Sequence, residues 1–285
     1  MPRENMKNIL IIDGSNLLFQ MFYGMPARIK NSDGKSIHGT IGFVGGVLKI
    51  LRLVKPTHVF VVFDGECENI RKQIDTEYKA NRPDYSEIPY DEQPFSQLSD
   101  IYAALDIMGI KFFETTVCES DDIIASYAIE YGNEYRVMIC SQDSDFFGLV
   151  NDNVSVLRYR GDKTEVYDPE KVREKLGILP ILYADYKCLT GDKADNIKGA
   201  DKIGPKTAAM LVNEYGSLEN IILYVDSIKK PSVRESVKNS AERLRKNYKL
   251  IRLSGGQELP FDIDKLEYSY NGVTTGEILR SIGLR

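Results

Sequence analysis

The sequence predicts an α/β protein, a parallel sheet flanked by helices and followed by a smaller, purely helical subdomain. Three observations carry this. Short continuous apolar runs rich in β-branched residues occur at 8–12 (NILII), 59–63 (VFVVF) and 137–140 (VMIC), as expected of strands buried on both faces. Helical patterns lie between them at 39–54, 94–108 and 119–131, and such alternation builds a parallel sheet through right-handed crossovers. Beyond Asp168 only helical patterns are evident.

In chain order, NILII is the first strand, 39–54 (GTIGFVGGVLKILRLV) a helix, and VFVVF the second strand. After a polar stretch come the helix at 94–108, a weaker strand KFFE at 111–114, the helix at 119–131 and the strand VMIC. The pieces VSVLRY and TEVY complete the sheet. The helical part reads as 169–176, 180–190, 205–215, 217–226 and a long polar helix at about 231–252. Residues 255–285 carry GGQELP and isolated strand-like pieces without a clear pattern, and no internal repeat is present. The expected division is an α/β domain over 1–178 with a distinct segment at about 71–98, a helical subdomain over 179–255 and a C-terminal extension over 256–285.

Composition removes several function classes. The 285 residues are 42% hydrophobic with a net charge of -5, and no apolar run approaches the roughly 18 residues of a membrane helix. The start, MPRENMKNILIID, lacks the apolar region and cleavage site of a signal peptide. A soluble, cytoplasmic monomer with no membrane partner is expected. Cys67, Cys118, Cys140 and Cys188 form no CxxC pair, which argues against a zinc site or redox motif. His38 and His58, the two histidines, lie outside any nucleophile-elbow context.

Carboxylates are what remain, and their placement points to chemistry. The first apolar run ends in Asp13, the second in Asp64, and the third is followed by Asp143 and Asp145. Strand carboxyl ends of a parallel sheet share one edge, so these acids converge on the usual ligand crevice. Glu119, Asp121 and Asp122 open a helix in CESDDIIASYA; capping and the helix dipole account for one or two such acids but not for three beside four more. Asp192 and Asp195 in LTGDKADNIKG would, alone, read as a solvated loop. Nine carboxylates crowded together repel and require cations. An all-oxygen set selects hard ions such as magnesium or manganese, and two such ions suit phosphoryl chemistry. Setting the nine acids aside turns the net charge of -5 into +4, so the acidic total leaves a nucleic-acid partner open.

Basic and aromatic residues supply the second signal. RKQIDTEYKANRPDY, residues 71–85, interleaves Arg71, Lys72, Lys79 and Arg82 with Tyr78 and Tyr85, a mixture suited to stacking on an unpaired base while cations meet phosphate; a solvated linker is the plainer reading. GADKIGPKTAAML, residues 199–211, reads as a glycine turn followed by a helix with Pro near its start, leaving free N–H groups for a phosphate. Residues 229–252 hold nine basic side chains against two acids, either a solvated helix face or a duplex-backbone contact.

Together these residues resemble the 5′ nuclease family, which comprises the 5′-3′ exonuclease domains of bacterial DNA polymerases, the phage 5′ exonucleases and the flap endonucleases. The resemblance spans about residues 7–255 and rests on Asp13-Gly14, Asp64 in VFD, Tyr78-Lys79 and Arg82 as YKxxR, ESDD at Glu119 to Asp122, Asp143 with Asp145, Asp192 to Asn196 as TGDxxDN, and Ile203 to Ala208 as GIGxKTA. It implies a PIN-like parallel sheet with a helix-hairpin-helix subdomain and an arch or clamp at about 71–98. It further implies a first metal held by Asp13, Asp64, Glu119 and Asp121 and a second by Asp143, Asp145 and Asp195. Asp121 would bridge them, with Asp122 and Asp192 close by or bound through water. Tyr78, Lys79 and Arg82 are the implied catalytic residues, and Lys198, Lys202, Gly204, Lys206 and Thr207 the implied DNA contacts. The implied cofactors are two or more magnesium ions, replaceable by manganese, with a candidate potassium ion at the hairpin. The implied partner is DNA with a 5′ flap or single-strand/duplex junction. No polymerase or proofreading domain follows, so a stand-alone enzyme is expected. Two positions depart from the family pattern: Ser120 replaces a usual alanine, and Gln20, expected on the crevice side, stands where the family commonly has arginine.

The expected activity is therefore two-metal, structure-selective 5′-3′ exonuclease and flap endonuclease cleavage. The rivals are a PIN-like ribonuclease, disfavoured by the hairpin module, and a non-catalytic DNA-junction binding module, disfavoured by the intact acid set.

Overall fold

The computed structural model describes residues 6–65 and 70–284; Cys67 lies outside them. The chain runs β1 (Asn8–Asp13), α1 (Gly14–Gly24), α2 (His38–Val54), β2 (His58–Phe63), α3 (Ile70–Ile74), α4 (Leu98–Met108), β3 (Lys111–Glu114), α5 (Ser120–Tyr131), β4 (Arg136–Cys140), β5 (Val154–Arg158) and β6 (Glu165–Tyr167). It continues through α6 (Pro169–Leu176), α7 (Tyr183–Thr190), β7 (Gly191–Asp192), β8 (Ile197–Lys198), α8 (Pro205–Tyr215), α9 (Leu218–Leu223), α10 (Pro231–Ile251) and α11 (Thr275–Ser281). Six strands form one sheet in the order β3-β2-β1-β4-β5-β6. The first five are parallel, with β1 central between β2 and β4, and only β6 runs antiparallel.

Every residue of β2 and all but the first of β1 are buried, which is why these strands read as unbroken apolar runs. Their side chains feed two cores. One face packs Leu10, Ile12, Val59, Val61 and Phe63 against α2, α4 and α11. The other packs Ile9, Ile11, Phe60 and Val62 against α5, with Tyr127 and Phe147. A third core around Leu189, Leu211, Val237 and Leu244 belongs to the helical subdomain. Gly14 joins β1 to α1 where a Cβ would stand 2.6 Å from the Phe63 ring, so the close crossing of α1 over β2 requires glycine.

Several sequence expectations change. The stretch after Asp168 is not purely helical, because β7 and β8 pair antiparallel across the 192–196 loop; strands of two residues leave no periodic signal. The extension after Gly255, patternless in sequence, packs back on the sheet domain, placing Leu266 in one core and Ile278 in the other. Several cations of α10 are paired at the surface with acids of other elements. Lys246 meets Asp75 at 2.6 Å, Lys238 meets Asp226 at 2.6 Å, Arg245 meets Glu219 at 3.1 Å and Arg243 donates to the Gly199 carbonyl at 3.1 Å. Part of the basic run on this helix is therefore already engaged by acids of neighbouring elements, through surface pairs that contribute little to stability. No helix among the described residues is long and apolar enough to cross a membrane.

Candidate active site

Strand ends and helix starts place the acids. Asp13 closes β1 and caps α1: its Oδ1 accepts from the Asn16 amide at 2.9 Å, and its Oδ2 from the Ser141 hydroxyl at 2.7 Å. Asp64 follows β2, and its Oδ1 accepts from the Ser120 amide at the start of α5, 2.9 Å away. That amide is one of the donors a helix leaves unsatisfied at its N-terminus, so Asp64 caps a helix distant in sequence. Glu119 occupies the N-cap position of α5, with Asp121 and Asp122 in the first turn. Beyond β4, Asp143 accepts from the Asp145 amide at 2.8 Å in a tight local turn.

Asp13, Asp64, Glu119, Asp121 and Asp143 line one cleft of about 740 Å³. Burial, reinforced by Asp64, pushes the Asp13 carboxyl up to about 7. Asp121 is raised in the same direction by burial and then by Asp143 and Asp13. Like charges taken out of water disfavour one another, and a bound cation reverses that penalty. Beside this cleft, ligand atoms of Asp145, Asp192 and Asp195 lie within 4.8 Å of one another. Burial and then Asp143 lift Asp145 to about 7. Asp192, expected only nearby, thus joins Asp145 and Asp195, while Asp143 lines the first cleft. Both groups offer oxygen alone, the donor set of hard divalent ions.

Cations and a tyrosine hold the acids apart. Lys79 Nζ lies 2.6 Å from Glu119 Oε1, and Arg82 donates to Asp195 at 3.0 Å. Burial would lower the Lys79 ammonium, but Glu119, Asp195 and Asp121 outweigh it and raise it. Lys79 sits at φ 57, a left-handed conformation unfavourable for a side-chain residue. Its amide is held by the Asp195 carbonyl at 3.0 Å, while Asn81 donates to the Lys193 carbonyl and Asn196 to that of Glu77, each at 2.8 Å. The 77–82 turn is therefore stitched to the 192–196 loop, which brings the helical subdomain's acids to the sheet edge.

Three expectations for individual residues are corrected. Tyr78 is 3% exposed and its hydroxyl donates to Glu119 at 3.2 Å and Asp195 at 3.3 Å, so its ring cannot stack on a base. Asp122 gives both oxygens to Arg71, at 2.8 and 2.7 Å; it anchors an arginine instead of facing the cleft. Gln20 lies on α1 as expected, but its amide donates to the Tyr159 carbonyl at 2.8 Å, away from the acids.

Other residues complete the site without any distinguishing signal in the sequence. Phe19 and Phe95 join Tyr85 in the cleft lining, with Phe19 and Phe95 set edge-on to Tyr85 at 6.0 and 5.2 Å. Lys187 lies 2.8 Å from Asp192 and 3.6 Å from Asp145, and the Tyr183 hydroxyl donates to Asp145 at 3.2 Å.

At the hairpin, Gly204 is the N-cap of α8 and makes no side-chain capping bond, and Pro205 fills the first turn. Lys206 and Thr207 lie in the first turn, where a helix leaves its N–H groups without intrahelical partners. Lys202 stands at φ 63 in the turn, and Lys198 is paired with Asp201 at 3.0 Å.

An oxygen-lined crevice at the carboxyl edge of a parallel sheet, followed in the chain by a helical module, defines a crowded acidic centre of the kind that hard divalent ions occupy. The chain belongs to the 5′-3′ exonuclease family, whose N-terminal resolvase-like domain matches residues 8–177 and whose C-terminal SAM fold matches residues 178–272. It is 33% identical over 250 residues to the 5′-3′ exonuclease of Aquifex aeolicus, covering 87% of this chain and 82% of that one. It is 34% identical over 257 residues to the thermostable DNA polymerase I of Thermus thermophilus, covering 90% of this chain but 30% of the polymerase. The bacteriophage T5 D15 flap endonuclease, solved as a pseudo-enzyme-product complex with DNA and metal ions, shares the fold at a TM-score of 0.70 and 23% identity over 97% of this chain and 100% of that one.

Proposed function

We propose that this protein is a magnesium-dependent, structure-selective 5′ nuclease that hydrolyses DNA phosphodiesters near a single-strand/duplex junction. The observation that carries the reading is the crevice itself: five carboxylates around one cleft and an acidic triad beside it, too crowded to remain bare anions at neutral pH.

Asp13, Asp64, Glu119, Asp121 and Asp143 would hold one ion, and Asp145, Asp192 and Asp195 a second, with manganese able to replace magnesium. Bound there, such ions supply a water activated to hydroxide and charge stabilisation for an in-line displacement. The chain's own groups do the rest. Lys79 and Arg82, which pair with Glu119 and Asp195, would exchange a carboxylate for the scissile phosphate. The Phe19, Tyr85 and Phe95 wall offers ring faces and edges to an unpaired base. Lys198, Lys202, Gly204, Lys206 and Thr207 would receive the duplex backbone, with a potassium ion as a candidate occupant of the turn. The working unit is a cytoplasmic monomer.

The test uses labelled 5′-flap DNA, blunt duplex and single-stranded RNA, each with magnesium or with chelator. Magnesium-dependent cleavage confined to the flap near its junction is expected. Preferential RNA cleavage would favour a PIN-like ribonuclease, and binding without cleavage a junction-binding module.

A further inference from the structure

A basic cleft of about 480 Å³ opens beside β5 and β6 and is lined by Arg158, Arg160, Lys163 and Lys175 with Asp162 and Glu165. Glu165 is engaged by Lys171 at 2.8 Å, so the cations outweigh the acids left to face them. Arg158 is the unusual member. Its guanidinium lies 4.8 Å from the Phe147 ring centroid and 5.3 Å from that of Tyr167, and those two rings are themselves stacked at 4.8 Å. Its Nε is buried without a hydrogen-bond partner, and among the described residues no carboxylate forms a salt bridge with it. The aromatic platform thus fixes the guanidinium of Arg158 at the wall of the cleft without any carboxylate among the described residues to neutralise it.

A chain of hydrogen bonds links a cation of this cleft to residues that position the acids. Arg160 follows β5 as Gln142 follows β4, and its Nε donates to Gln142 Oε1 at 2.7 Å. Gln142 in turn lies between Ser141, which holds Asp13, and Asp143 of the crevice lining, and its amide is held by Asn16 at 3.0 Å. Gln142 and Arg160 thus link the two places along the carboxyl ends of the parallel strands β4 and β5.

We infer that the Arg158, Arg160, Lys163 and Lys175 cleft binds backbone phosphates of the nucleic-acid substrate beyond the cleavage site, as an anchor separate from the hairpin. The inference rests on the proposed nuclease reading and adds a place for the substrate strand to continue. Contacts from these cations to phosphate oxygens carry no sequence information, so the anchor would bind without sequence preference.

The experiment measures binding of 5′-flap DNA in calcium or chelator as a function of salt, for the parent, Lys163→Ala, Lys163→Arg and Arg158→Met/Lys163→Ala. Lys163 is exposed in a turn, so its variants test the cleft even where loss of Arg158 disturbs packing. The slope of log affinity against log salt should become shallower by about 0.9 for each phosphate that is no longer neutralised. Lys163→Arg should keep the parental slope, and single-turnover cleavage at saturating DNA should be unchanged in every variant. Unaltered slopes in variants of a parent that binds and cleaves the flap would overturn the cleft while leaving the nuclease reading intact. A parent that neither binds nor cleaves DNA would remove the nuclease reading and the cleft with it. Unaltered DNA slopes with variant-sensitive binding of inorganic pyrophosphate would assign the cleft to a free phosphate ligand and refute the inference.

Discussion

Replacing Arg71 should destabilise the protein more than removing any exposed cation. Arg71 donates to Asp122 through both Nη atoms at 2.8 and 2.7 Å, to Glu119 at 2.8 Å, and through Nε to the Leu250 carbonyl at 2.9 Å. Its side chain is 11% exposed, that of Glu119 9% and that of Asp122 18%. The guanidinium thus joins the start of α5 to the end of α10, pinning the helical subdomain against the acidic edge. Arg71→Met fills much of the same volume but strands Asp122 and a carbonyl, while Glu119 keeps Lys79. Breaking one partner of a buried ion pair costs about 3–5 kcal/mol, equivalent to a fall in Tm on the order of 10 °C for a chain of this size. Urea unfolding followed by circular dichroism reads the change. The Arg71→Met/Asp122→Asn double variant should recover part of the loss, because it removes the orphaned charge. A loss under about 1 kcal/mol, or a double variant less stable than the single, would show that Arg71 is not the buried clamp described.

Four further outcomes follow from the same geometry. Asp13 and Asp145 have folded-state carboxyls raised to about 7 from 3.8, chiefly by burial and then by Asp64 and Asp143 respectively, so the folded state holds protons that the unfolded chain has lost. In chelator their contribution should therefore fall as pH rises from about 4 to about 7, by at most about 1.4 kcal/mol per pH unit for each group. Magnesium should offset the decline and Asp13→Asn should flatten it; a parent stability curve unaffected by either would contradict the assignment. Asp145→Ala and Asp195→Ala should each reduce single-turnover cleavage by about 10³-fold with flap binding within a few-fold of the parent, and parental rates at low magnesium would dismiss the triad. The Lys202→Ala/Lys206→Ala variant should weaken all duplex-containing substrates alike and make the salt slope shallower by roughly one unit per phosphate released, so an unchanged slope would exclude the hairpin. Gln20→Ala should cost about 1 kcal/mol of stability and leave cleavage within a few-fold. Gln142 still donates to the Tyr159 carbonyl at 2.9 Å, and a collapse of activity would assign Gln20 a catalytic part.

Residue order alone was enough for the sheet and for the acids at its edge. The runs ending at Asp13, Asp64 and Cys140 are buried on both faces, so their apolar character is continuous and cannot be mistaken for a half-exposed strand, and parallel pairing puts every strand end on one side. The acids at the start of α5 are legible because three of them exceed what capping and the helix dipole account for. What periodicity could not supply was partner choice. Asp122 and Asp121 are neighbours of the same type in one helical turn, yet Asp122 is taken by an arginine 51 residues away and Asp121 lines the cleft. Tyr78 looks like an exposed stacking residue in a polar stretch, and only the docking of the 77–82 turn on the 192–196 loop buries it. The basic run of α10 has the composition of a phosphate-binding face, but its acids, Asp75, Asp226 and Glu219, lie in other elements that pack against it. Hydrophobic pattern is a property of each segment and its own burial, whereas which charge meets which is decided when distant segments are brought together.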